Sequence, residues 1–121
     1  MILTERIYEA SHQQNTYAVF VDRLWPRGLA KKDVFWEEWL REISPTPALR
    51  KWFSHDPKKW DEFKLRYWHE LEQKHEEIKR IKQLEKKYNI IVLLYAARDE
   101  IHNHAVVLKE FLEKTGNTNK L

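Results

Sequence analysis

The run Ile90-Ile91-Val92-Leu93-Leu94-Tyr95, entered after the breaker Asn89, constrains this chain more than any other stretch. It is far shorter than the roughly 20 residues needed to cross a membrane, and too uniformly apolar for a strand with one wet face. It predicts a central strand buried on both sides, and such strands belong to sheets whose parallel neighbours are joined through helices. Tyr17 to Asp22 reads the same way. The long helical segment between these two runs makes them a parallel pair. Ile2 to Tyr8 predicts another strand, and the polar link Ser11 to Thr16 is too short for a crossover helix. If that strand lay beside Tyr17 to Asp22, the pair would be antiparallel. The expected architecture is a single α/β domain: a small mixed sheet with parallel central strands and helices packed on it.

Helical signals fill the rest of the chain. From Asp33, a candidate cap, Phe35, Trp36, Trp39, Leu40 and Ile43 recur at three- and four-residue steps and predict a helix that Ser44-Pro45-Thr46-Pro47 ends. A short helical turn follows through Leu49, Trp52 and Phe53. Asp56-Pro57 then has the form of an N-cap and first helical residue, with Trp60, Phe63, Tyr67 and Leu71 on one face. The stripe lapses at Gln73 to His75 and resumes at Ile78, Ile81 and Leu84, which predicts a break or kink. A last helix through Ala105, Leu108, Phe111 and Leu112 is expected to end before Gly116.

Composition narrows the chemistry. The chain has no cysteine, which removes disulfides, thiolate nucleophiles and thiolate metal ligands. With 34% charged residues, no membrane-length apolar run and no signal pattern, a soluble cytoplasmic protein without membrane partners is expected. The net charge is +3, but acids and bases are interleaved, so a nucleic-acid partner is only weakly indicated. Lys79, Arg80, Lys82, Lys86 and Lys87 share their segment with Glu76, Glu77 and Glu85, the pattern of a solvated helix face. All six tryptophans lie between residues 25 and 68 and suggest a rigid aromatic layer.

Ligands of parallel sheets bind beyond the carboxyl ends of the strands. The second strand delivers Asp22, Arg23, Trp25 and Arg27 there, and the strand ending at Tyr95 delivers Arg98, Asp99, His102, Asn103 and His104 around a helix start. Arginines beside a helix N-terminus favour a small anionic ligand such as a phosphate. Arg23, Arg27 and Arg98 are the expected anion contacts, with Trp25, Tyr95, Asp99 and Asn103 as further ligand-binding candidates. Asp22, with His102 or His104, is the candidate for moving protons, since imidazole titrates near neutral pH. The alternatives are structural: an Asp22–Arg98 ion pair tying strand ends together, a Trp25-Pro26 core turn, and His55-Asp56 as a plain helix cap with a possible place on the rim. His102 and His104 with Asp22 or Asp99 could hold a metal, but no strong ligand spacing is present, so no metal or other cofactor is assigned.

Three segments, VDRLWPRGL (21–29), LRKWFSHDPKKWDEFKLRY (49–67) and LLYAARDEIHNHAVVLKEFL (93–112), carry a resemblance to the YeaO-like branch of the domain-of-unknown-function 488 family. The resemblance spans nearly the whole chain and implies a small α/β fold with a shared polar site, but no reaction. It also implies that other branches carry Cys-His-Arg where this chain has Asn103-His104-Ala105, so thiol chemistry at that place is absent here. Two classes of function stand open: a pocket for a phosphate- or nucleotide-like anion with acid/base catalysis, and a non-catalytic module binding nucleic acid or protein.

Overall fold

A computed structural model describes residues 1–11 and 13–118. Ile90–Tyr95 forms β4, with β1 (Ile2–Arg6) on one side and β2 (Thr16–Phe20) on the other; the two-residue β3 (Glu38–Trp39) adds an edge beyond β2. Every pairing is parallel, with Leu93 of β4 opposite Thr4 of β1 and Val19 of β2. The α/β architecture with parallel central strands is as expected. The condition for an antiparallel first pair does not arise, because β4 inserts between β1 and β2. Residues 7–15 return the chain without a crossover helix; in extended form they reach about 30 Å, more than a five-residue strand requires.

Strand alternation sends β4 to two different covers. Ile91, Leu93 and Tyr95, with Val19 and Val21, pack under the helices. Val92 and Leu94, with Phe20, face the other way onto Leu29, Trp36 and Trp39. The helical layer comprises α1 (Pro47–Phe53), α2 (Trp60–Glu72), α3 (His75–Lys87) and α4 (His104–Thr118). Thr46, not singled out in the sequence, caps α1 by accepting from the Leu49 N–H, and the predicted cap Asp56 accepts from the Lys58 N–H ahead of α2. The break between α2 and α3 falls at Gln73 and Lys74, where the apolar stripe lapses.

Two expectations are corrected. The segment from Asp33 to Ile43 is not a helix; it is extended around β3, with short 3-10 turns at Lys31–Asp33 and Arg41–Ile43. The Glu37 and Leu40 N–H groups bond to the carbonyls of Ala18 and Phe20, both at 2.9 Å, so the open edge of β2 claims donors that a helix would have kept to itself. Trp36 stacks on Phe20 at 4.7 Å, and burial of these rings favours the extended form. The last helix does not end before Gly116 but runs on to Thr118; a helical glycine costs only about 1 kcal/mol relative to alanine. The tryptophans also divide: Trp25, Trp36 and Trp39 meet on the far side of the sheet, while Trp52, Trp60 and Trp68 pack with the helices. No helix among the described residues is long and apolar enough to cross a membrane.

Candidate functional site

The carboxyl ends of β2 and β4 are held together one residue beyond the ladder, where the Val21 N–H donates to the Leu94 carbonyl at 3.0 Å. That bond delivers Asp22 to the chain leaving β4. Asp22 Oδ2 accepts from the Ala96 N–H at 3.2 Å, while the Asp22 carbonyl accepts from Trp39 Nε1 at 2.6 Å. His104, the first residue of α4, places Nε2 3.0 Å from the Val21 carbonyl oxygen and 3.1 Å from Asp22 Oδ1. A carbonyl can only accept, so Nε2 carries the hydrogen and Nδ1 is the acceptor of the neutral ring. The N–H is directed at Val21, which leaves the buried Asp22 Oδ1 in electrostatic contact but without a hydrogen bond.

Asp99 organises the second imidazole. Its Oδ1 accepts the N–H groups of Ile101 and His102, and its Oδ2 lies 2.9 Å from His102 Nδ1. The His102 N–H, then its side chain, then the Ile101 N–H lower the Asp99 carboxyl to about 2, so it is an ionised acceptor at neutral pH. His102 Nδ1 therefore carries the hydrogen and Nε2 is free to accept. The edge of Trp60 holds the ring from the side at 5.2 Å. Between the two histidines, buried Asn103 caps α4: Oδ1 accepts from Val106 and Nδ2 donates to the Asp99 carbonyl.

These groups form one wall of a cleft of about 350 Å³; α1 and the turn after it form the other. Arg50 and Lys51 of α1 line that second wall with Ser54 and His55, above a floor of Phe53 and Phe63. Among the described residues no carboxylate lines the cleft; Asp22 and Asp99 contact the imidazoles that do. Ser54 and His55 have φ of 47° and 56°, and the Asp56 N–H bonds back to the Phe53 carbonyl at 3.0 Å. This is a turn of the kind that prefers Asn-Gly, with each side chain in the left-handed region costing about 1–2 kcal/mol. Behind the first wall, the buried Tyr67 hydroxyl donates to the Ile43 carbonyl at 2.7 Å. Burial, with Glu70 and Asp22 adding to it, raises its pKa well above the usual tyrosine value and keeps it a donor.

The expected site residues separate into two groups. His102, Asn103 and His104 line the cleft, with Asp22 and Asp99 in contact with the two imidazoles. Arg23 stands behind the rim, its guanidinium 3.4 and 3.5 Å from the carbonyls of Ser44 and Pro45 and 3.6 Å from Glu42. Trp25, Arg27, Tyr95 and Arg98 do not line the cleft. Trp25 donates from Nε1 to the Leu29 carbonyl and packs edge-on to Trp36 and Trp39 on the far side of the sheet. Arg27 is exposed beside the Tyr8 hydroxyl, which its carbonyl accepts. Tyr95 is buried in the core. Arg98 is exposed, and the ion partner of Asp22 is His104 instead. Sequence reasoning did not single out Arg50, Lys51 or Ser54; the left-handed turn that joins α1 to the cleft has no glycine to announce it. Among the described residues, no group of three or more His, Cys, Asp or Glu is arranged to hold a metal ion.

Comparison with known proteins follows the same segments. The family described as the inactive DUF488-N3 subclade matches residues 1–120. The chain is 40% identical over 111 residues to the uncharacterized protein YeaO of Escherichia coli strain K12, covering 92% of this chain and 96% of that one. It is 32% identical over 107 residues to the uncharacterized protein Mb3100c of Mycobacterium bovis, covering 88% and 89%. No solved structure gives a significant match.

Proposed function

Because the chain belongs to the domain-of-unknown-function 488 family, in the subclade described as inactive, we propose that it is a binding module whose cleft holds a small phosphate-bearing ligand. The observation that carries this reading is the charge of the lining: Arg50 and Lys51 face a wall of imidazoles, and among the described residues no carboxylate lines the cleft. A cleft of about 350 Å³ lies at the small end of ligand pockets, roughly 300–1,000 Å³, and suits one nucleotide or sugar phosphate better than a polymer. Arg50 and Lys51 take the phosphate. Arg23 holds the carbonyl edge of the Ser44–Pro45 wall, and Asp22 and Asp99 fix the two imidazoles.

One observation favours a second reading, acid/base turnover. Each imidazole has a carboxylate against one ring nitrogen, at 2.9 Å for His102 and 3.1 Å for His104, an arrangement able to pass protons. The description of the subclade speaks for binding without turnover.

Calorimetric titration with inorganic phosphate, ribose 5-phosphate and adenosine 5′-monophosphate, followed by phosphorus NMR of the recovered ligand, tests both. Binding is expected, with the ligand chemically unchanged. The Arg50→Ala/Lys51→Ala variant should bind at least roughly tenfold more weakly, since a charge-assisted hydrogen bond contributes about 1.5–3 kcal/mol. A ligand consumed during incubation moves the assignment to catalysis. No binding by any of the three overturns the anion site.

A further inference from the structure

The two walls of the cleft differ in hydrogen-bonding sense as well as in charge. On the α1 side, Arg50 and Lys51 can only donate. On the α4 side the tautomers are set from behind: His102 gives its Nδ1 hydrogen to Asp99, and His104 gives its Nε2 hydrogen to the Val21 carbonyl. The ring nitrogens left over, Nε2 of His102 and Nδ1 of His104, are acceptors in the neutral rings. Asn103 between them is buried, with one Nδ2 hydrogen on the Asp99 carbonyl and a further side-chain bond to Tyr95. A ligand that is anionic all over would meet donors at one wall and lone pairs at the other.

From this polarity we infer that the ligand is a phosphate monoester with free hydroxyl groups, a sugar phosphate or a ribonucleotide, bound with its phosphate on α1 and a hydroxyl donating to His102. The inference rests on the anion-site reading and narrows its ligand class. His102 becomes the residue that reads the hydroxyl, and Asp99 a positioning residue that fixes which nitrogen does so. The groups acting on His102 are Asp99 in the loop before α4, the Trp60 edge on α2, and the cations Arg50 and Lys51 with His55 across the cleft. Asp99 fixes the hydrogen on Nδ1, which leaves Nε2 as the acceptor of the neutral ring.

The test is calorimetry at about pH 8, where an ordinary imidazole is neutral, with ribose 5-phosphate, 2-deoxyribose 5-phosphate, phenyl phosphate and inorganic phosphate, each in two buffers of different ionisation enthalpy. Ribose 5-phosphate should bind about five- to tenfold more tightly than phenyl phosphate, the range expected when one neutral hydrogen bond is lost. No proton should be taken up. His102→Ala should remove that preference while inorganic phosphate still binds, and His102→Gln, which retains an acceptor oxygen, should restore part of it. The 2-deoxy sugar locates the hydroxyl: a loss there assigns the 2-position, and retained affinity assigns another, either result supporting a hydroxyl contact provided phenyl phosphate stays weaker. Equal affinity for all four phosphates, or uptake of a proton on binding, overturns the hydroxyl assignment and leaves the anion site standing. Failure of all four to bind overturns the anion site itself.

Discussion

Phe20 and Val21 are neighbours at the end of β2, yet they open onto two unlike environments. Phe20 lies in a dry stack with Trp36 and Trp39, sealed at its margin by Trp25. Val21 lies under the helices, and its carbonyl receives the hydrogen of His104 at the back of a cationic cleft. The turn that follows serves both sides. Asp22 and Arg23 brace the cleft from behind, Trp25 turns to the aromatic layer, and Gly28, at φ 84°, allows a return that few side chains tolerate. The crowding of charge and shape in VDRLWPRG is therefore two jobs in one turn. The larger apolar core and the proposed ligand cleft lie on the helix side, a smaller aromatic layer covers the other face, and the Trp39 to Asp22 bond links the two.

The largest effect expected from breaking this division is at Trp39. Trp39→Ala removes the ring contacts to Phe20, Trp36 and Trp25 and the donor to the Asp22 carbonyl. A stability loss of about 3 kcal/mol is expected by urea unfolding. The variant that remains folded should keep its phosphate affinity within about twofold, a difference under roughly 0.5 kcal/mol; a parallel fall in affinity would show that the two faces are one unit.

A smaller effect of opposite sign belongs to the cleft. Ser54→Asn/His55→Gly installs the pair that the left-handed turn prefers and should stabilise the chain by about 1 kcal/mol, while weakening phosphate binding through loss of the rim imidazole. Loss of stability in this variant would mean that the Ser54 and His55 side chains hold the turn and are not strained by it.

The smallest effect is a pH dependence. Asp99 is lowered from an ordinary 3.8 to about 2 by the hydrogen bonds from His102 and Ile101. A depressed carboxyl contributes stability that is full above the unfolded value and is lost as pH falls through the folded one, so the window runs from about 4 down to 2. Carbon NMR of the Asp99 carboxyl should give a midpoint near 2, and Asp99→Asn should flatten the acid limb of the melting curve between these values. A midpoint at the ordinary value would remove the basis for fixing the His102 tautomer.

What the sequence made legible was local chemistry. The uniform apolarity of β4, the Asp56-Pro57 helix start and the lapse of the stripe at Gln73 to His75 each depend on neighbours within a few residues. The stretch 33–43 reads as helix in the sequence because the deciding bonds come from β2, nineteen or more residues away: Ala18 and Phe20 take the N–H groups of Glu37 and Leu40. At the site, β2 and β4 did bring Asp22 to the His102–His104 segment. Two things lay beyond reach. The ion pair read for Asp22 is with Arg98, whereas the start of α4 turns His104 toward it, and the α1 wall depends on a backbone conformation that Ser54 and His55 do not advertise.

The most direct measurement is amide and indole NMR of the full chain during titration with ribose 5-phosphate. The cleft account predicts saturable shifts at Arg50 to His55 and His102 to His104, with the indole N–H signals of Trp25, Trp36 and Trp39 unmoved. Movement of those indoles with α1 and the start of α4 silent would contradict it and place recognition on the aromatic face.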